Sequence, residues 1–129
     1  MGYESKLYVV EKTNVIDDEK RYARVIAMFD MSKFKFLSDI MRDCPETDCY
    51  FYADDGNTRI LDDCYGRHLT EASIDEVVTI LELSVFNGEN YRRIFPVMAF
   101  LKNMFDQQKN GIWKNNIAVI APISMKVTV

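Results

Sequence analysis

A tight chain reversal in the middle of the sequence constrains the fold more than any other feature. Residues 50–61 read YFYADDGNTRIL, in which Asp55-Gly56 separates two runs rich in apolar residues. Asp-Gly favours a two-residue hairpin loop, because a type I′ turn requires a positive φ at both central positions. This loop would place Tyr52 opposite Arg59, with Phe51 on the core side of the hairpin. The chain is therefore expected to contain antiparallel strands.

Other segments carry strand signals of the same kind. They are short runs of β-branched and aromatic residues, or runs in which apolar and polar residues alternate. Residues 14–20 are polar and predict a connection between the first two strands. The predicted strands cover residues 6–13, 22–30, 117–121 and 123–129, in addition to the two hairpin strands.

Two helices are predicted in the C-terminal half of the chain. Ser73 and Glu76 form a capping box, whose side chains can satisfy two unpaired backbone amides at a helix start. This first helix should end at Asn87-Gly88, and a second should run to about Asn110, with Pro96 in its first turn or at a kink. A short helix is also predicted over residues 32–42. The expected buried stripe of the first helix is Ile74, Val77, Val78, Leu81 and Val85, and one face of the second carries Ile94, Met98, Leu101 and Phe105.

The order of these elements predicts a single α+β domain over residues 1–129. We expect an antiparallel sheet of about five strands, with the two main helices of the C-terminal half packed on one face. Uninterrupted apolar runs, such as residues 117–121, are far shorter than the ~20 residues that a membrane helix needs. The first residues lack the pattern of a signal peptide, and three cysteines fit a reducing compartment. A cytoplasmic protein without membrane contact is therefore expected.

The acidic residues are concentrated in one part of the chain. Residues 39–76 contain eleven acidic and three basic residues, a net charge of −8, whereas the remainder carries +4. A surface of this charge would steer a basic partner towards it, and it argues against nucleic acid on the same face. The alternative is a solvated acidic surface without a partner.

The hairpin motif Tyr-x-Asp-Asp resembles the catalytic signature of reverse-transcriptase palm domains. That resemblance implies a metal-dependent enzyme acting on nucleotides or nucleic acid, in which Asp54, Asp55 and Asp30 would converge to hold two divalent ions. However, Asp30 and Asp54 are only 24 positions apart, and the tight turn alone explains Asp55-Gly56. We therefore favour the turn, with no catalytic residues.

All three cysteines and the only histidine lie within one segment. Cys44, Cys49, Cys64 and His68 offer the donor atoms of a tetrahedral zinc shell. Their spacing is not that of a common zinc finger, and cysteine also serves as a small buried apolar residue. We expect no cofactor, with a structural zinc ion as the alternative.

The hairpin also offers a candidate protein-binding surface. Tyr50, Tyr52 and Arg59 share the face opposite Phe51, and tyrosine and arginine are enriched at binding hot spots. In the alternative interpretation, helices cover this face as a second core layer. The candidate partner-binding residues are Tyr50, Tyr52, Asp54, Asp55, Arg59, Asp62 and Asp63.

Three stretches of the first half resemble uncharacterised small proteins of phages and prophages of Gram-positive bacteria. They are residues 1–13 (MGYESKLYVVEKT), 22–34 (YARVIAMFDMSKF) and 49–58 (CYFYADDGNT). The resemblance implies a cytoplasmic accessory protein that binds a host protein. Proteins of this kind include inhibitors of nucleic-acid-targeting defence systems. An oligomer built through the alternating strand over residues 123–129 is a further alternative.

Overall fold

A mixed sheet and two helices make up the part of the chain that the computed structural model describes, which is residues 6–30, 44–52, 56, 59–60, 69–86 and 91–121. Within these residues the sheet has six strands in the order β4-β3-β2-β1-β6-β5. The strands are β1 (Lys6–Asp17), β2 (Lys20–Asp30), β3 (Cys49–Tyr52), β4 (Arg59–Ile60), β5 (Thr70–Ala72) and β6 (Ile117–Ala121), and the helices are α1 (Ile74–Phe86) and α2 (Tyr91–Lys109). The predicted α+β fold is confirmed, and neither helix is long and apolar enough to cross a bilayer.

The first two strands form a long hairpin at the centre of the sheet. Residues 14–20, predicted to be a polar connection, instead lengthen both strands around a two-residue turn. Asp18 and Glu19 occupy this turn with φ angles of 52° and 64°. Two consecutive positive φ angles define the type I′ geometry, which matches the twist of the strands. Neither residue is glycine, so the usual sequence signal for this turn is missing.

The pairing of β2 with β3 corrects the prediction of an entirely antiparallel sheet. These strands run parallel, with Arg21 opposite Cys49 and Tyr22 opposite Tyr50. Parallel neighbours need a crossover of a dozen residues or more, and residues 31–48 provide that length. The predicted helix over residues 32–42 lies outside the described residues.

The β3–β4 hairpin has the register that its turn residues predict. Phe51 lies opposite Ile60 and Tyr52 opposite Arg59, as expected for a loop at Asp55-Gly56. Gly56 has a φ of 74°, a conformation that residues with a side chain rarely adopt. The second hairpin strand, predicted to reach Leu61, is described only as the two residues of β4.

The segment before β3 connects the two sides of the sheet. Glu46 forms an isolated antiparallel bridge with Thr70 of β5, and the amide of Thr47 donates to the carbonyl of Leu69 at 2.9 Å. Because the chain continues from Thr47 into β3, which lies on the other side of the strand order, the sheet curls into a partly closed barrel. Closure of this kind pairs backbone groups that an open edge would expose.

Each face of the curled sheet carries a buried apolar core. The helices pack on one face, as predicted, and share a core with side chains of β1 and β6. The other face encloses a second apolar cluster inside the barrel. The first core includes Leu7, Val9, Ile74, Val77, Leu81, Ile94, Met98, Leu101 and Val119, and the second consists of Val10, Ala23, Cys49, Phe51, Leu69, Ala118 and Ile120.

The helix boundaries follow the predicted signals. The amide of Glu76 donates to the hydroxyl of Ser73 at 3.4 Å, and the amide of Ser73 donates to the carboxylate of Glu76 at 3.3 Å, so the predicted capping box caps α1. Pro96 lies inside α2, beyond its first turn, and Phe105 is 38% exposed at the rim of the predicted buried face. A Schellman motif ends α2, with the amide of Ile112 bonded to the carbonyl of Gln107 and Gly111 at a φ of 74°.

Candidate functional site

Three tyrosine rings gather where β2 meets β3. The centroid of Tyr22 lies 5.6 Å from that of Tyr50 and 5.9 Å from that of Tyr52, and Tyr50 and Tyr52 are also 5.9 Å apart. These side chains point away from Phe51, because successive residues of a strand alternate between faces. Tyr52 is 41% exposed, whereas Tyr50 is only 4% exposed. Tyr50 therefore supports the ring of Tyr52 and is not itself open to a partner.

Most of the other predicted site residues lie outside the described part of the chain. This holds for the proposed acidic contacts and for half of the proposed zinc shell, so neither set is tested. The backbone of Arg59 lies opposite Tyr52, and that of Asp30 ends β2. The undescribed positions are Asp54, Asp55, Asp62, Asp63, Cys64, His68 and the strand predicted over residues 123–129.

At the mouth of the barrel, the structure assembles a polar cluster that the sequence analysis did not identify. Its members are Lys12 of β1, Glu71 of β5, and Thr47, Asp48 and Cys49 at the start of β3. Barrel closure brings the last three residues beside β5. Lys12 and Glu71 are 59 positions apart in the chain, so no local sequence pattern could have signalled their contact.

An ion pair organises this cluster. The Lys12 Nζ atom lies 2.8 Å from Glu71 Oε2 and 3.8 Å from Asp48 Oδ1. The other oxygen of Glu71 accepts a hydrogen bond of 2.7 Å from the hydroxyl of Thr47. The thiol of Cys49 donates to Asp48 Oδ1 at 3.5 Å and contacts Glu71 Oε1 at 3.9 Å. Both carboxylate oxygens of Glu71 are thus engaged.

The cluster changes the acidity of its lysine and its cysteine. Burial lowers the pKa of Lys12, but its hydrogen bond with Glu71 and the charges of Glu71, Cys49 and Asp48 outweigh burial and raise that pKa above 10.5. Burial raises the pKa of the Cys49 thiol from 9.0 to about 11; Glu71 and Asp48 act in the same direction, while Thr47 and Lys12 oppose them. Since the thiolate is the nucleophilic form, Cys49 is a weak nucleophile at neutral pH.

The same side chains include a group with metal-ligand chemistry. One donor atom from each of Asp48, Cys49 and Glu71 lies within 4.8 Å of the other two. A metal ion at this position would have to displace the ammonium of Lys12 and ionise a thiol whose pKa is raised to about 11. The arrangement therefore fits a lysine held by carboxylates better than it fits a metal centre. Cys44, the other described member of the proposed zinc shell, is half-buried.

Protein stability should decrease in alkaline solution because of Cys49. The unfolded thiol ionises near pH 9 and the folded thiol near pH 11, so the unfolded state releases its proton first as the pH rises. A shift of this size corresponds to at most about 2–3 kcal/mol, lost between pH 9 and pH 11. Urea unfolding at pH 8, 9, 10 and 11 measures this slope. The Cys49→Ala variant should show a shallower slope, and equal slopes would contradict the assignment to Cys49.

Comparison with known protein families, curated protein sequences and solved structures yields no match to the chain.

Proposed function

We propose that the chain is a non-enzymatic binding protein that engages a basic surface of a host protein. The exposed ring of Tyr52 is the observation on which this proposal depends. Tyr22 and Tyr50 each lie 5.9 Å from it, ring centre to ring centre, so its orientation is supported from two sides. A ring already held in place loses little conformational entropy on binding, which is why rigid aromatic side chains serve as anchors at interfaces.

Acidic side chains in the same region support the choice of a basic partner. Glu46 and Asp48 are exposed just before β3. Asp54 and Asp55 belong to the segment that connects Tyr52 to Arg59, within the stretch of net charge −8. Charge of one sign around an aromatic anchor accelerates encounter with a partner of opposite charge. A protein groove that normally holds DNA or RNA is positively charged and would therefore attract this acidic region.

The resemblance to phage and prophage proteins supports the same kind of partner. Small accessory proteins of this type act on the machinery of the bacterial host, and a nucleic-acid-targeting defence protein offers a basic groove. An acidic protein seated in that groove would exclude nucleic acid. The partner in this proposal is therefore a nucleic-acid-binding host protein. The chain inhibits this partner by occupying its nucleic-acid-binding groove.

Affinity capture from a lysate of a Gram-positive host tests the proposal. The wild-type chain should retain a basic protein, and about tenfold less should be recovered with Tyr52→Ala or with Asp54, Asp55, Asp62 and Asp63 changed to asparagine. Losses of this size are typical of hot-spot residues. DNA or RNA added before capture should compete for the same partner.

A control variant with a similar change in net charge separates local recognition from overall charge. The triple variant Glu19→Gln, Glu82→Gln and Asp106→Asn removes exposed acidic groups outside the acidic stretch. This variant should retain the partner. Equal loss with the control, or full recovery with folded Tyr52→Ala and four-asparagine variants, would show that the proposed surface does not bind.

A further inference from the structure

A polar cleft with a volume of about 380 Å³ lies beside the Lys12–Glu71 cluster. Small-molecule sites begin at about 300 Å³, so the cleft has room for a small ligand. Four segments line it: β1, the start of β2, the residue before β3 and the loop after α2. Lys12, Arg21 and Lys114 contribute positive charge, and Asn14, Asn115 and Asn116 contribute carboxamide groups.

Arg21 is held in position by one of its nitrogen atoms. Its Nη1 donates to the carbonyl of Thr13 at 2.8 Å and to Asn14 Oδ1 at 3.4 Å. The structure places no protein acceptor on Nε or Nη2 of this side chain in the described part of the chain. A guanidinium fixed in this way keeps a planar pair of donors, which matches two oxygens of a phosphate group.

The positive charge available to a ligand comes from Arg21 and Lys114. The ammonium of Lys12 is already balanced by Glu71 at 2.8 Å and by Asp48 at 3.8 Å. Lys114 is exposed, and neither it nor Arg21 forms an ion pair with any described carboxylate. These two cations outnumber Asp48, whose carboxylate also lines the cleft, so the cleft attracts an anion such as a phosphate monoester.

The cleft also presents hydrogen-bond acceptors, which a bare anion would not use. Asp48 contributes a carboxylate with a side chain that is 62% exposed. The amide nitrogen of Asn115 donates to Glu11 at 3.3 Å, so its carbonyl oxygen remains an acceptor. Hydroxyl groups would satisfy these acceptors. A ligand that combines a phosphate group with a hydroxyl-bearing body therefore fits the lining better than inorganic phosphate.

The wall formed by the loop after α2 is fixed before any ligand arrives. The Schellman motif sets the direction in which this loop leaves the helix. The indole nitrogen of Trp113 donates to Gln107 at 2.9 Å, and the amide of Lys12 donates to the carbonyl of Asn116 at 2.9 Å. Since the loop is bonded both to α2 and to β1, Lys114 extends from a pre-formed support.

We propose that this cleft binds a small phosphate monoester with a hydroxyl-bearing body, such as a sugar phosphate or a nucleoside monophosphate. Arg21 and Lys114 hold the phosphate group, and Asp48 and the asparagines accept from hydroxyl groups. This inference goes beyond the proposed binding of a host protein and does not depend on it. The two sites have different anchors, because Tyr52 and its supporting rings do not line the cleft, and Asp48 is the acidic residue that they have in common.

Titration of the full chain followed by amide NMR tests the proposal with four probes. Ribose 5-phosphate and adenosine 5′-monophosphate represent the two sources of the ester, and inorganic phosphate and ribose each lack one half of it. At least one ester should shift the amide resonances of Arg21 and of residues 114–116, and should bind more tightly than either half. Absence of shifts with both esters, or equal affinity for inorganic phosphate, would overturn the proposal.

Charge variants locate the site. Lys114→Gln should weaken ester binding about tenfold, as expected for loss of one exposed charge-assisted contact. Arg21→Lys keeps the charge but loses the planar donor pair, and it should also weaken binding. Lys109→Gln removes an equally exposed lysine outside the cleft and should leave affinity unchanged. Equal weakening by Lys109→Gln and Lys114→Gln would show that binding depends on overall charge, contrary to the proposal.

Discussion

Replacement of Phe51 by alanine should lower the free energy of unfolding by about 3–5 kcal/mol, as expected when a large aromatic side chain is removed from a packed core. Phe51 is 1% exposed, and its ring centroid lies 4.5 Å from that of Tyr8. It belongs to the apolar cluster inside the barrel, together with Val10 and Ile120. Because the strands around it are bonded on both sides, the barrel can collapse only partly into the cavity. Urea unfolding monitored by circular dichroism measures the loss.

The neighbouring residue provides the control. Tyr52 is also aromatic and lies in the same strand, but it points to the opposite face and is 41% exposed. Tyr52→Ala should therefore cost less, about 1–2 kcal/mol, because the partly exposed ring loses only its contacts with Tyr22 and Tyr50. Similar losses in the Phe51 and Tyr52 variants would contradict the assignment of an inner and an outer face to β3.

The features of the fold that could be predicted from the sequence are those that depend on residues close together in the chain. The register of the β3–β4 hairpin follows from Asp55-Gly56, because the loop length fixes which residues face each other. The start of α1 follows from Ser73 and Glu76, whose side chains must satisfy amides within a single turn. The packing of both helices on one face follows from the spacing of their apolar residues. These features involve residues within a few positions of one another.

Features created by distant pairings could not be read from the sequence. The three residues of β5 are too few to show a period, and this strand exists because β6 and the segment around Glu46 pair with it. The turn at Asp18-Glu19 lacks the glycine that normally marks it, since pairing along the rest of a long hairpin stabilises both positive φ angles. The parallel pairing of β2 with β3 is allowed by the length of residues 31–48, and it has no signature in the amino-acid composition of either strand.

The candidate sites likewise combine features that nearby residues determine with features that only distant pairings create. Alternation along β3 predicted that Tyr52 lies on the face opposite Phe51, but alternation could not reveal that Tyr50, on that same face, is buried. The phosphate-ester cleft combines Arg21 with residues 114–116, more than 90 positions away. Polar residues in short loops look alike in sequence whether they line a cleft or face bulk solvent. Only the closed sheet and the fixed loop after α2 distinguish the two cases.

Replacement of Lys12 by methionine should lower the free energy of unfolding by about 2 kcal/mol. Breaking a fully buried ion pair costs about 3–5 kcal/mol, because one charge remains without compensation. The side chains of Lys12 and Glu71 are 24% and 21% exposed, so water screens part of this effect. In the variant, the carboxylates of Glu71 and Asp48 remain close together at the barrel mouth without the ammonium between them. Urea unfolding at pH 7 measures the loss.

A second ion pair and a rescue variant test whether the loss of stability comes from the Lys12–Glu71 ion pair. Lys102 and Glu82 lie 3.9 Å apart on α2 and α1 with side chains about half exposed, so Lys102→Met should cost less than about 1 kcal/mol. Adding Glu71→Gln to Lys12→Met should recover part of the stability, because glutamine keeps an acceptor for Thr47 and removes the uncompensated charge. If both lysine variants lose the same stability, or if the glutamine brings no recovery, Lys12 contributes through its alkyl chain alone. The mouth of the barrel would then be held by packing and backbone pairing, without a stabilising contribution from the ion pair.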